Sequence, residues 1–417
     1  MTASTPAGVG AAGVQGAIAG ENREAAASTA GATPAVNKGE LFSSFDVNAF
    51  EIPSGRDELW RFTPMRRLRG LHDGTATPNS TVAIEVTETE GVTVESVGRE
   101  DQRLGEAGAP TDRVAAAAYS GFEQATVITV GREEEVADPI TVTVTGPGAG
   151  NVAYAHLQIR VEAFGRATVV LDHKGDGTIA DNVEFIIGDS ARLSVVSVQD
   201  WAETAVHARS EHTKVGRDAV FRHFAVSLGG DLARTSTTVR FSAPGGDAEL
   251  FGLYFADAGQ HIEHRLLVDH AVPHCKSNVV YKGALQGESA AAHAAPGSKG
   301  DAHTVWIGDV LIRAAAEGTE TFELNRNLVL TDGARADSVP NLEIETGEIR
   351  GAGHASATGR FDDEQLFYLR SRGIPEDQAR RLVVRGFFRE LIDKIVVPDV
   401  RERIDAAIEA ELGAIGA

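Results

Sequence analysis

The chain has 417 residues, 24% of them charged, with a formal net charge of −21. That length exceeds what one compact core needs and predicts two or three structural units. The acid excess argues against a nucleic-acid surface, which needs clustered Lys and Arg. No apolar run approaches the roughly 20 residues of a membrane span, and the lone Cys275 can make no internal disulfide, which suits a reducing cytoplasm.

Residues 1–38 are small and polar without a helical or strand period, and read as a disordered tail. They lack the basic region and apolar block of a signal peptide. An N-terminal domain of mixed and helical character is expected over 39–120. It contains Gly55-Arg-Asp-Glu-Leu-Trp-Arg-Phe-Thr-Pro64, in which Trp60 and Phe62 read as packing anchors.

Over 121–355 the pattern becomes period-two. Ile140-Thr-Val-Thr-Val, Leu157-Gln-Ile-Arg-Val and Leu193-Ser-Val-Val-Ser-Val predict strands with one buried face. Gly188-Asp-Ser-Ala-Arg-Leu, Gly216-Arg-Asp-Ala-Val-Phe and Gly245-Gly-Asp-Ala-Glu-Leu recur about every 28 residues, the length of a solenoid rung. The glycine is expected to supply φ > 0 at a tight corner. Three copies leave an antiparallel sandwich open as an alternative.

Residues 356–417 read as three helices. Asp362 and Gln365 form a capping pair, with Phe361 and Leu366 as a staple. Gly373 stops the first helix and Pro375 opens the second, whose predicted stripe is Ala379, Leu382, Val383, Gly386, Phe387, Leu391 and Ile395. The third follows Pro398 with Val400, Ile404, Ile408, Leu412 and Ile415. These stripes need the solenoid, each other or another protein to cover them.

Enzyme signatures are missing. There is no P-loop (Pro296-Gly-Ser-Lys-Gly reads as a turn-rich loop) and no Gly-x-Ser-x-Gly elbow. No Cys-x-x-Cys pair could hold a cluster within this chain, and no carboxylate pair stands out. Cys275, near His261, His264, His270 and His274, invites a metal reading. Strand alternation would separate His274 from Cys275, and a lone cysteine reads better as a small buried hydrophobe.

Four motifs then occur in order: Asn325-Arg-Asn-Leu-Val-Leu, Ser338-Val-Pro-Asn-Leu-Glu-Ile-Glu, Gly353-His-Ala-Ser-Ala-Thr-Gly and Asp362-Asp-Glu-Gln-Leu-Phe-Tyr-Leu-Arg-Ser-Arg-Gly373. This set resembles the SufB/SufD family of iron–sulfur cluster assembly proteins. The resemblance is densest from about His264 to Ile395 and does not reach the first 38 residues. It implies a mainly β fold: a right-handed parallel β-helix with N-terminal mixed and C-terminal helical domains.

It further implies a cytoplasmic, non-enzymatic scaffold subunit that pairs with SufB through β-helix surfaces and docks the ATPase SufC on its C-terminal helices. A homodimer of the isolated chain is also allowed. No cofactor would be held stably by the chain alone; an iron–sulfur cluster would be transient cargo of the complex. His354, which chemistry alone reads as satisfying backbone groups at the end of the last rung, becomes on the resemblance a metal ligand to the nascent cluster at the SufB interface. Asn325 stands where SufB-type sequences carry a cysteine, and Ala355 where they carry a glutamate, which points to the SufD branch. Ala352 occupies a position that is cysteine in some SufD sequences. The alternatives are a SufB-like cluster carrier and a polysaccharide-active β-helix protein. The arginines Arg370, Arg372, Arg380, Arg381, Arg385 and Arg389 either contribute to docking or pair with Glu376, Asp377 and Glu390 along the helices.

Overall fold

The computed structural model describes residues 38–287, 301–361 and 363–413. Strands β1 (Ala83–Val86) and β2 (Val92–Val97) precede helix α1 (Arg113–Gly121). Then come β3 (Ala125–Val130), β4 (Ile140–Thr145), β5 (Val152–Val161), β6 (Arg166–Gly175), β7 (Thr178–Ile187) and β8 (Arg192–Trp201). The winding continues through β9 (Val206–Val215), β10 (Val220–Ser227), β11 (Leu232–Phe241), β12 (Asp247–Ala256) and β13 (His261–His270). It ends with β14 (Lys276–Leu285), β15 (Ala302–Ile312), β16 (Glu320–Val329), β17 (Ala334–Ile344) and β18 (Gly351–Arg360).

From β3 onward the strands fall alternately into two sheets, odd-numbered in one and even-numbered in the other, each stacked in parallel. This is a two-sheet β-solenoid. The antiparallel strands β1 and β2 add to β4 and β3 at its start. The sandwich alternative is excluded, because sequential strands go to different sheets and like strands pair in parallel.

The repeat marks the corners, with a different division of labour from that expected. Gly188 and Gly216 do not have positive φ. A Cβ on Gly188 would lie 2.7 Å from the Ala163 amide nitrogen, and one on Gly216 2.8 Å from the Ile187 carbonyl oxygen. Glycine is needed there so that successive rungs can approach. The left-handed residues are Ser190 (φ 58°), Asp218 (φ 53°) and Gly245 (φ 84°). Arg192, Val220 and Asp247 stack in register, as do Leu193, Phe221 and Ala248, so the third sequence copy is slipped by two positions.

The interior is filled by alternate residues of both sheets, among them Val169, Val195, Phe221, Leu250, Val279 and Trp306. The expected one-sided burial fails on β7, where every residue is buried. The reason is a lid. Trp60, Leu68, Leu71, Val114 and Ala118 pack on Ala180, Val206, Ala208 and Leu232 on the outside of the odd sheet. Trp60 is indeed a packing anchor, with the Arg234 guanidinium 3.9 Å from its ring centre.

The C-terminal helices α2 (Asp363–Ser371), α3 (Glu376–Ile392) and α4 (Pro398–Gly413) cover the outer face of the even sheet. Phe224, Val226, Phe251, Leu253 and Phe255 meet Val384, Phe388, Leu391, Ile392 and Ile395 there. Removing the helices would therefore uncover a large apolar face of the solenoid. On α3 the buried line is Ala379, Val384, Phe388, Leu391 and Ile392, and Leu382 is half exposed. Ala379, Leu391 and Ile395 of the predicted stripe are buried and Val383 and Phe387 pack on the same cluster; Leu382 turns outward, and Val384, Phe388 and Ile392 join the buried line instead. Lys282 Nζ donates to the Phe387 carbonyl (3.0 Å) and to Glu390 (2.8 Å), pinning that side of α3 to β14.

On α4, Val400, Ile404, Ile408 and Leu412 are buried as expected; Ile415 lies outside the described residues. So do residues 1–37 of the expected tail, the Pro296–Gly300 loop, the Asp362 cap and the Asp377 side chain. Lys38 itself begins a 3-10 turn and pairs with Asp309. The expected boundary at 355/356 falls inside β18, which runs on to Arg360.

Candidate functional site: the open end of the solenoid

A parallel ladder has no intrinsic stop, so its last rung presents unpaired backbone unless something covers it. Among the described residues, β17 and β18 each pair on one side only. β18 is built from small residues, Gly351-Ala-Gly-His-Ala-Ser-Ala-Thr-Gly-Arg, and most of it is exposed. The sequence has no bulky side chains there to close the end.

His354 stands on β18 in register with Glu323 of β16. Its side chain is 42% exposed, and Nδ1 lies 3.8 Å from Oε1 of Glu323, which is 1% exposed. Burial, reinforced by the nearby Asp309 carboxyl, pushes the Glu323 carboxyl up to about 8. Ala352, on the same side of β18, packs against the core. Ala355 alternates to the other face.

Asn325 lies beneath this rung and is fully enclosed. Its Nδ2 donates to Tyr254 Oη (2.9 Å), and its Oδ1 accepts from Asn327 Nδ2 (2.8 Å) and Ser338 Oγ (2.7 Å). Tyr254 Oη in turn donates to Asn327 Oδ1 at 2.6 Å. These groups are committed to one another, so Asn325 is a structural node and has no atom free for a ligand.

The network extends inward as a column of polar side chains between the sheets, which the sequence reading did not find. Ser227 lies 3.3 Å from His264, and Glu211 accepts from Thr237 (2.8 Å). Deeper still, Asp181 accepts from His207 Nε2 (2.9 Å) and Arg209 Nε (3.1 Å). Burial alone would raise the Asp181 carboxyl, but Arg209 and His207 outweigh it and hold it far below the carboxylate range. The only hint in sequence was polar residues at inward positions of strands, such as His207 and Arg209, where apolar ones are the rule. Asp181→Ala leaves the Arg209 guanidinium buried without its main counter-charge and should cost about 3–5 kcal/mol. Asp181→Leu with Arg209→Met should recover much of that loss in urea unfolding.

The Cys275 cluster does not converge. Cys275 is completely buried and its thiol is pushed up by that burial. His264 and His270 face the interior, His270 bonding Ser277 (2.9 Å). His261 faces outward and meets His303 at 3.1 Å, and His274 forms a corner with φ 60°. Among the described residues no group of three His, Cys, Asp or Glu side chains is placed to hold a metal ion. This end can offer a cluster one imidazole, backed by a buried carboxyl.

Residues 143–387 match the family model described as SUF system FeS cluster assembly, SufBD core domain. The chain belongs to the SufB/SufD family. Among similar proteins is the iron–sulfur cluster assembly SufBD family protein Rv1462 of Mycobacterium tuberculosis, 68% identical over 90% of this chain and 93% of its own length. The SufBD family protein ML0594 of Mycobacterium leprae is 67% identical over 91% of this chain and 95% of its own. A second SufBD family protein of Mycobacterium leprae, ML0593, is only 24% identical over 58% of this chain, which covers 26% of that protein. One organism thus holds a near and a distant relative of this SufB/SufD-family chain. The chain is an iron–sulfur cluster assembly protein of that family, and no helix among its described residues is long and apolar enough to cross a membrane.

Proposed function

We propose that this chain is the SufD-type, non-enzymatic subunit of a cytoplasmic scaffold complex, paired with a SufB-type partner and docked to the ATPase SufC. The open end of the solenoid carries this reading. Two unpaired strand edges, with His354 between them, suit a second solenoid that continues the sheets and brings the remaining ligands of a transient cluster. The near and distant relatives within one organism agree with a pair of unlike subunits. Asn325 and Ala355 disfavour the cluster-carrying role for this member.

The reading is tested by co-expression with SufB- and SufC-type partners. A ternary complex should be isolated, while the lone chain, reconstituted anaerobically with iron and sulfide, should stay colourless. A stoichiometric cluster on the lone chain would overturn it.

The SufC surface is assigned to α2 and the adjoining turn of α3. After the helices have packed on the solenoid, Phe367 (74% exposed), Tyr368 (56%) and Leu382 (50%) remain outside. Several of the arginines are already engaged: Arg370 and Arg380 with Glu376, Arg385 with Glu409 and Arg389 with Asp393. Docking is therefore expected to rest on the apolar group. Phe367→Ser with Leu382→Ser should abolish SufC capture and leave the melting temperature within a few degrees, since neither side chain is in the core. Undiminished capture in pull-down would move the docking site elsewhere.

A further inference from the structure

A buried carboxyl is tolerated when its oxygens find donors. Glu323 meets that rule only in part, with the Asn341 backbone N–H as its one donor among the described residues. It sits on the inward side of β16, and its Oε1 has no hydrogen-bond partner among the described residues. Space for the group is provided on purpose: a Cβ on Gly308 would lie 2.5 Å from Oε2. A polar atom of the neighbouring rung, His354 Nδ1, lies 3.8 Å from Oε1. The two residues are register partners on the same side of one sheet, so the ladder itself sets their approach. With Nδ1 directed at the carboxyl, Nε2 is the nitrogen left for the open end.

We propose that Glu323 is the positioning residue of His354: its Oε1 takes the Nδ1–H, so that the Nε2 lone pair is what this chain offers to iron. The inference rests on the ligand role of His354 given above. A ligating imidazole must keep its proton on the other nitrogen, and a carboxylate partner fixes both tautomer and ring orientation. The glycine at 308 and the otherwise unpartnered oxygen then have a common purpose.

The test reads the tautomer directly. Full-length chain labelled with 15N-histidine is examined by NMR, and His354 is assigned by its absence in His354→Ala. The wild type should carry the proton on Nδ1. Glu323→Leu should move it to Nε2, and Glu323→Gln, whose amide oxygen still accepts, should keep it on Nδ1. In complexes with SufB- and SufC-type partners, cluster content should fall about tenfold or more for the Leu variant and stay near wild type for Gln. The Leu variant should melt no lower than wild type, because it removes a desolvated carboxyl. A purely structural Glu323 would leave the tautomer unchanged. An Nε2–H tautomer in the wild type, or full cluster content in the Leu variant, overturns the proposal. Full cluster content in His354→Ala instead defeats the ligand role itself, wherever the proton sits.

Discussion

Lowering the pH from 7 to 5 is expected to remove much of the protein's stability. Burial lowers seven imidazoles from their ordinary value: His173, His207, His212, His223, His261, His264 and His270. His264 falls to about 4 and His270 to about 3. Unfolded, each takes up a proton near pH 6.5, whereas folded it stays neutral to lower pH. Below 6.5 the unfolded state therefore binds more protons, and stability present above that pH is lost as it falls. Each site contributes up to about 1.4 kcal/mol per pH unit until its folded value is reached. Four carboxyls raised by burial act in the opposite sense, Asp247 and Asp309 among them. Glu323, pushed up to about 8, and Glu411, pushed up to about 7, are destabilising when ionised and gain as the pH drops. The seven imidazoles outnumber the raised carboxyls, so the net effect by pH 5 is a loss that is a sizeable fraction of the stability of a typical domain. Urea midpoints measured from pH 8 to pH 5 should fall steeply below about 6.5. A flat profile would show that these histidines are not held neutral inside the fold.

The same interior explains what the sequence disclosed and what it withheld. Rungs were legible because their spacing is set by chain geometry: a strand, a corner and a return strand take nearly the same length each time. The corner chemistry was only half legible. Glycine at 188 and 216 answers to the neighbouring rung's backbone, while the left-handed turn is carried by Ser190 and Asp218, which a single sequence does not mark as unusual. Burial on both faces of β7 was hidden for a related reason. Whether an outward Ala180 or Glu184 meets water or the lid depends on segments far away in the chain; the Gly105 and Ala107 amides donate to Glu184 at 2.7 and 3.0 Å.

The candidate site divides in the same way. His354 was found from its motif, and its place on an uncovered strand follows from the run of small residues around it. Glu323 gave no sign. In sequence it is one acid among 60, and its character comes from facing inward at a position where strand register sets it under an imidazole. The α3 stripe was legible except at Leu382, which looks as apolar in sequence as the buried Val384 and Phe388.

His354→Ala is expected to abolish cluster formation while leaving the scaffold whole. The side chain is 42% exposed and surrounded on its strand by glycine, alanine and serine, so its loss leaves no cavity and should cost about 1 kcal/mol or less. Pairing with a SufB-type partner should persist. The two free edges of β17 and β18 supply backbone hydrogen bonds along ten or so residues, and one imidazole is a small part of an interface large enough to be stable. On the proposed ligand role, by contrast, the imidazole has no substitute among its neighbours. Ala352 carries no donor and packs on the core, Ala355 points to the other face, and Asn325 is locked in its buried network. A residue that merely satisfied the end of the last rung would give the reverse pattern: a lower melting temperature or weaker pairing, with a normal cluster yield in each complex that survives. Melting temperature, complex recovery and iron and sulfide content, measured on one preparation of the variant, separate the two. Intact complex with wild-type iron and sulfide would make His354 a structural residue after all.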